Sequence, residues 1–207
     1  GDQVLRHFDS GVRAVVSDEV QGKGVKLHLN SEVARIDRHP SGRLGVVLKD
    51  GNEIEADTVL YATGRKPNFD RLGLENVSVA LTPKGVVEVD QYYRTSEPGI
   101  FALGDIIHTH ELTPVALAEG MVLARHLFGS GSEPMDYQYV PTAVFSQPNV
   151  AGVGLNEEQA QQRGGKLRIY ETRFRHMKNS LSGNPARTFM KVIVDDASDR
   201  VLGMHMV

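Results

Sequence analysis

The sequence predicts a mixed α/β and α+β protein, and three features carry that reading. Apolar residues recur at helical spacing in two stretches, near 10–22 and from Thr113 to Gly129, set between short extended runs. A Gly/Ser-rich stretch over 129–136 reads as a linker. Beyond it strands dominate around one short helix, the texture of an α+β unit with an antiparallel sheet. At 207 residues the chain is long enough for one or two domains with a sizeable core.

The first helix is capped by Asp9 or Ser10, carries Val12, Val15, Val16 and Val20 on one side, and ends at Gly22 and Gly24. Val25 to Leu29 alternates apolar and polar residues and predicts a half-buried strand. Further extended runs follow at Val33–Arg38, Leu44–Lys49 and Glu53–Leu60, with Asp50-Gly51 as the hairpin turn between the last two. The apolar run Val59-Leu60-Tyr61-Ala62 predicts a buried strand that delivers the loop Thr63-Gly64-Arg65-Lys66-Pro67. Residues 68–84 read as loop, with a turn at Pro83-Lys84-Gly85. Two short strands, Val86–Val89 and Ile100–Leu103, come next, and the second ends in Gly104-Asp105. Thr113 is a good N-cap with Pro114 at the first helical position. Ala116, Gly120, Leu123 and Leu127 share one face of that helix, and Gly129 closes it. After the linker come strands at Thr142–Phe145, Leu167–Phe174, Thr188–Val194 and Val201–Met206, with a helix near Glu157–Gln162.

Composition excludes several classes of function. Apolar residues are 40% and charged residues 24% of the chain, as in an ordinary soluble domain. The net charge of -3 argues against nucleic-acid binding and against a polybasic membrane anchor. No apolar run approaches the roughly 18 residues of a membrane span, and no signal peptide opens the chain, so a cytoplasmic location is the expectation. Cysteine is absent, which excludes disulfides, thiolate-bound zinc, iron–sulfur ligation and a cysteine nucleophile within this chain. The chain starts without Met at Gly1 and stops at Val207 within a strand signal, so it reads as an internal fragment.

The candidate motifs each have a plain alternative. Gly152-Val153-Gly154 lacks the third glycine and the following helix of a dinucleotide loop. His108-Thr109-His110-Glu111 has metal-ligating residue types, yet such residues in a loop more often serve as exposed polar groups, and no metal is expected. Asp105 at the carboxyl end of an apolar strand is a turn residue by default. Beside the start of a helix eight residues on, it suits a cofactor with a polyol and an electron-accepting ring, because a helix start offers free N–H groups and partial positive charge. Arg65 and Arg6 suit a phosphate or a surface ion pair equally well.

Three runs carry a family resemblance: Ala62-Thr63-Gly64-Arg65-Lys66-Pro67-Asn68, Thr95-Ser96-Glu97-Pro98-Gly99-Ile100-Phe101-Ala102-Leu103-Gly104-Asp105, and Leu112-Thr113-Pro114-Val115-Ala116. They resemble the flavin-dependent pyridine nucleotide–disulfide oxidoreductases. Leu112-Thr113-Pro114-Val115-Ala116, Val140-Pro141-Thr142-Ala143-Val144-Phe145-Ser146-Gln147-Pro148, Leu181-Ser182-Gly183 and Phe189-Met190-Lys191 are most similar to the glutathione reductase branch, of plant and bacterial type. The resemblance covers essentially the whole chain in order.

It implies partial FAD/NAD(P)-binding Rossmann-like domains followed by the start of an antiparallel-sheet dimerisation domain. Residues 1–67 would be the C-terminal part of the NADPH-binding domain, 68–138 the central FAD-binding segment, and 139–207 a partial dimerisation domain. It implies that Asp105 holds the ribityl hydroxyls of FAD. Leu112 and Thr113 would stand at the helix start aimed at the pyrimidine end of the isoalloxazine. Gly64, Glu111 and Ala143 would line the nicotinamide nucleotide path, with Arg65 beside Gly64. Arg6 matches the second of two arginines that grip the adenosine 2′-phosphate, which favours NADP over NAD. Two positions depart from the pattern: Met121 replaces an arginine that touches glutathione in animal members, and Met177-Lys178 matches a Met-Tyr pair only in part.

No catalytic residue is expected in this chain, since the family's redox cysteines lie upstream and its His-Glu pair downstream. The resemblance implies glutathione disulfide as the substrate of the complete enzyme and a homodimer once the interface domain is complete. Neither nucleic acid nor membrane is expected as a partner. The alternatives are a trypanothione-, mercuric- or lipoamide-type member, or a non-catalytic nucleotide-binding remnant.

Overall fold

The computed structural model describes residues 1–107, 110–131 and 133–207. They form two compact units, one made of Gly1–Leu60 with Gln138–Val207, the other of Tyr61–Tyr137.

The first unit opens with α1 (Ser10–Gly22). Asp9 is its N-cap, accepting the Gly11 N–H at 2.8 Å. Its buried valines are Val12, Val15 and Val16, as their spacing requires. An antiparallel sheet follows in the order β1 (Val33–Arg38), β2 (Leu44–Leu48), β3 (Glu53–Ala56). The Asp50-Gly51 turn lies between β2 and β3, with Gly51 at φ 89° and the Asp50 carboxylate accepting the Asn52 N–H.

Two expected strands are absent or shorter here. Residues 25–29 form no strand, and Val25 is 52% exposed. The expected run Glu53–Leu60 stops at Ala56, because Ala56 pairs with Leu44, the first residue of β2. Alternating side chains make a strand only where a neighbour supplies ladder hydrogen bonds, and beyond that pair β2 has no residue left to offer. The run 59–62 is likewise not a buried strand, and Leu60 is 89% exposed.

The rest of the first unit is β4 (Thr142–Val144), β5 (Val150–Gly154), α3 (Glu157–Gln162), β6 (Leu167–Arg175), α4 (Lys178–Ser182), β7 (Arg187–Asp195) and β8 (Val201–Met206). The five strands form one antiparallel sheet in the order β4-β5-β8-β7-β6. The predicted strand-rich half is therefore correct, while β5 and α4 were not foreseen. The Gly152-Val153-Gly154 stretch lies in β5 and runs beside β8 (Gly152 opposite His205, Gly154 opposite Gly203). Its glycines serve close strand approach: a Cβ on Gly154 would collide with the Leu202 carbonyl. α1 packs on this sheet, with Val12, Val15 and Val16 meeting Val150, Phe189 and Val207. Gly11 allows this, since a Cβ there would stand 2.8 Å from the Phe189 ring. α3 is fixed by a capping box between Asn156 and Gln159.

Among its described residues the second unit is mostly loop and short 3-10 turns around one α-helix, α2 (Thr113–Phe128). The strands expected at 86–89 and 100–103 reduce to single bridges, Leu81 with Val87 and Arg94 with Phe101. Val87, Tyr93, Ala102 and Ile107 form the core, with Val122 and Leu123 of α2 packed on it. The N-cap of α2 is Leu112 in extended backbone, one residue before the expected Thr113, and no side chain caps it. Its buried positions are Val115 and Glu119, one residue earlier than the expected stripe; Leu127 and Met121 are exposed. Among the described residues no helix is long and apolar enough to cross a membrane.

Candidate functional site

Six of the eight candidate cofactor residues fall in the second unit, and Arg6 and Ala143 fall in the first. In the second unit the chain leaves Leu103 in extended backbone and turns at Gly104 into a 3-10 turn, Gly104–Ile106. Gly104 sits at φ 74°, and a Cβ there would lie 3.3 Å from that of Ala116. The glycine thus lets the turn dock against the second turn of α2. Its N–H donates to the buried Glu119 carboxylate at 2.6 Å. Asp105, the next residue, is exposed, and its carboxylate makes no hydrogen bond or ion pair among the described residues.

The start of α2 supplies the complementary group. The Val115 and Ala116 N–H groups both bond to the Leu112 carbonyl, and the Leu112 N–H bonds to His110. Pro114 has no N–H. Thr113 is therefore the position at which this helix start presents an N–H that is unbonded among the described residues, added to the positive end of the helix dipole. Glu111 and Thr113 are exposed and Leu112 is half-buried. The His110 ring lies parallel to Tyr137, with centroids 5.8 Å apart. His108 and Thr109, half of the weighed metal motif, lie outside the described residues; among those described, no cluster of metal-ligating side chains occurs.

Gly64 and Arg65 are exposed in a loop, not at the end of a buried strand. Gly64 has φ 113°, which favours glycine. Among the described residues Arg65 forms no hydrogen bond or ion pair, so nothing links it to the Asp105 turn or to α2.

In the first unit Arg6 is exposed on a turn closed by the Phe8 N–H donating to the Leu5 carbonyl at 2.9 Å. Leu5 and Phe8 anchor that turn on the core, and the Arg6 guanidinium has no partner among the described residues. An unpaired guanidinium on an anchored turn is suited to a phosphate. Ala143 is exposed on β4 opposite Ala151 and borders an apolar groove of about 230 Å³ with Met204 and Met206.

Two buried polar centres escaped the sequence reading. Lys191 on β7 is 2% exposed and donates to Asp9 at 3.0 Å, Glu157 at 2.6 Å and Glu171 at 3.2 Å. Asp9 is fully buried and also accepts the Glu157 N–H at 3.0 Å, joining the starts of α1 and α3. Burial by itself would raise the Asp9 carboxyl; the Glu157 N–H, Lys191 and the Gly11 N–H together hold it below its ordinary value. Burial would likewise lower Lys191, and the Glu157 and Asp9 carboxylates outweigh that and raise it. The other centre is Glu119, whose second oxygen accepts the Tyr137 hydroxyl at 2.7 Å. Burial, then the bonds to Tyr93 and Glu119, push the Tyr137 phenol well above its usual range. Both centres leave a trace in the sequence: a charged residue at a core-facing step of an apolar period.

Known proteins resemble this chain along nearly all of its length. The family pattern described as pyridine nucleotide-disulphide oxidoreductase matches residues 1–120, and the pattern of that family's dimerisation domain matches 140–207. A glutathione reductase of Burkholderia cepacia is 44% identical over the whole chain, and the chain covers 46% of it. A chloroplastic/mitochondrial glutathione reductase of Pisum sativum is 43% identical over 99% of the chain, which covers 37% of it. A trypanothione reductase of Trypanosoma congolense is 34% identical over 99% of the chain, with 42% of it covered. The chain thus spans less than half the length of these relatives. The solved structure of the HOCl-induced flavoprotein disulfide reductase RclA from Escherichia coli superposes with a TM-score of 0.88 at 28% identity, over 98% of this chain and 46% of that one. With the α/β part and the five-stranded antiparallel sheet each matched in order, the chain belongs to the pyridine nucleotide-disulphide oxidoreductase family.

Proposed function

We propose that the full-length protein containing this chain is an NADPH-dependent flavoprotein disulfide reductase acting on glutathione disulfide. The observation that carries the reading is the exposed Asp105 carboxylate on a turn docked against α2, whose start presents the Thr113 N–H. The similarity to two glutathione reductases over the whole chain supports the substrate. Another family member, such as a trypanothione-type reductase, is the second reading, favoured by the 34% identical relative.

The residues fit the two cofactors. An unengaged carboxylate accepts hydroxyl donors, so Asp105 would hold the ribityl chain of FAD. Thr113 and the positive end of α2 would favour negative charge at the pyrimidine edge of the ring, beside Leu112. Arg6 would take the 2′-phosphate of NADPH, and Gly64, Arg65, Glu111 and Ala143 would line the nucleotide path. When bound, FAD supplies two-electron transfer between nicotinamide and disulfide. The chain has no cysteine, so the redox disulfide would come from another segment of the protein. In this reading residues 1–67 belong to the NADPH-binding domain, 68–138 to the FAD-binding domain and 139–207 to the dimerisation domain. The protein is then a homodimer working in the cytoplasm.

The test is NADPH oxidation by the full-length protein with glutathione disulfide, set against trypanothione disulfide and lipoamide. Glutathione disulfide is expected to be the preferred substrate, and a clear preference for another disulfide would overturn the assignment. Arg6→Ala is expected to lower kcat/KM for NADPH about tenfold to a hundredfold and to leave NADH nearly unchanged. A charge-assisted hydrogen bond contributes roughly 1.5–3 kcal/mol. Equal losses with both nucleotides would mean that Arg6 supports the fold instead.

A further inference from the structure

We infer that Glu119 is a positioning residue that holds the Asp105 turn in its flavin-binding form; the inference rests on the flavin reading proposed above. The 3-10 turn Gly104–Ile106 has no cap of its own, because Leu103 precedes it and forms no side-chain hydrogen bond to it. Its first N–H, on buried Gly104, needs an acceptor away from water. Glu119 supplies it from the second turn of the facing helix, at 2.6 Å, from a side chain with no exposure. A carboxylate acceptor makes this bond stronger than an amide or hydroxyl would.

The rest of the surroundings fix Glu119 itself. Its other oxygen accepts from Tyr137, whose hydroxyl also meets that of Tyr93 at 3.2 Å. Tyr93 is a core residue of this unit, 2% exposed. The clamp therefore runs from the core through two tyrosines and Glu119 to Gly104, and the next side chain along is Asp105. Gly104 sits at positive φ, and glycine is free to leave that conformation, so the Glu119 bond is what holds the turn there. Loss of the clamp frees the turn to rotate, and Asp105 leaves the place where it meets hydroxyls. Glu119 does not touch the cofactor; it acts only through Asp105.

The experiment measures FAD affinity by titrating the apo form of the full-length protein, with thermal melting alongside. Glu119→Leu is expected to weaken FAD about tenfold to a hundredfold. Glu119→Gln keeps an acceptor for the Gly104 N–H and should recover most of that, staying within about tenfold of wild type. Asp105→Leu should weaken FAD at least as much as Glu119→Leu. In the double variant the Glu119 change should add less than about threefold, because its effect is routed through the residue already lost. Unchanged FAD affinity in Glu119→Leu, or losses that multiply in the double variant, would overturn the positioning role. Unchanged affinity in Asp105→Leu would instead overturn the flavin reading itself. Should Glu119→Leu not fold, Glu119→Gln carries the test: its small loss must vanish in the Asp105→Leu background, and a loss that persists there overturns the inference.

Discussion

Lys191→Met is expected to destabilise the full-length protein by about 3–5 kcal/mol, the cost of breaking a buried ion pair from one side. Methionine matches the length of the lysine stem, so packing changes little. What changes is that Asp9, fully buried, and Glu157 lose the ammonium between them. Asp9 would still cap α1 and accept the Glu157 N–H, so two carboxylates would remain held close together without a cation. The exposed pairs Arg35–Asp37 and Lys49–Glu32 carry no such weight, since surface pairs contribute about 0–1 kcal/mol. The measurement is equilibrium unfolding in urea near pH 7; a loss below about 1 kcal/mol would show that the cluster is decorative.

The same cluster fixes the sign of the pH dependence. The Asp9 carboxyl is depressed in the folded state, so its contribution is present above its ordinary value of 3.8 and fades as pH falls through the lower folded value. Lys191 is raised, so its contribution is full below its ordinary 10.5 and fades as pH rises through the higher folded value. The gap between wild type and Lys191→Met should therefore be steady across the neutral range. It should narrow toward acid, where protonation relieves the unpaired carboxylates of the variant.

What the sequence discloses depends on whether a feature is local. α1 is legible because Asp9 and three valines are all the signals it needs, and they sit within eight residues. β8 is legible over its full length because Leu202, Met204 and Met206 alternate with Gly203 and His205. Residues 25–29 carry the same alternation and form nothing, because a ladder partner is a fact about another segment. β5 was missed for the converse reason: two glycines weaken its strand pattern, and only the neighbouring β8 explains them.

The candidate site divides along the same line. Asp105 and the helix start after it could be read from the apolar run that ends in Gly-Asp and from Thr113-Pro114. The true cap fell one residue earlier because Leu112 takes up extended backbone, for which leucine carries no local signal. Glu119 follows Val115 by four residues and precedes Leu123 by four, so it stands on the core-facing side of α2. Lys191 alternates with Phe189 and Ile193, both buried. In each case the period was visible, and the charge on it marked a buried centre whose partners lie far off in sequence.

Gly203→Ala is expected to cost about 3 kcal/mol or more, at the upper end for overpacking. Gly203 lies in β8, the middle strand of the five, opposite Gly154 on one side and Ile193 on the other. A Cβ there would overlap the backbone carbonyl of Leu155. A clashing side chain can change rotamer, but this obstacle is main chain, and the Leu155 N–H is itself bonded to the Leu202 carbonyl at 2.9 Å. Relief would require β5 and β8 to separate, which would loosen the sheet that supports α1. The substitution is no general measure of glycine replacement, and Gly22 provides the contrast. It is the last residue of α1, with no atom within 4 Å of where its Cβ would stand. Gly22→Ala should be neutral or stabilise by up to about 1 kcal/mol, since alanine loses less backbone entropy in a helix. Urea unfolding of both variants in the full-length protein tests the pair. If Gly203→Ala falls within about 1 kcal/mol of wild type, the close approach of β5 and β8 is not what requires glycine there.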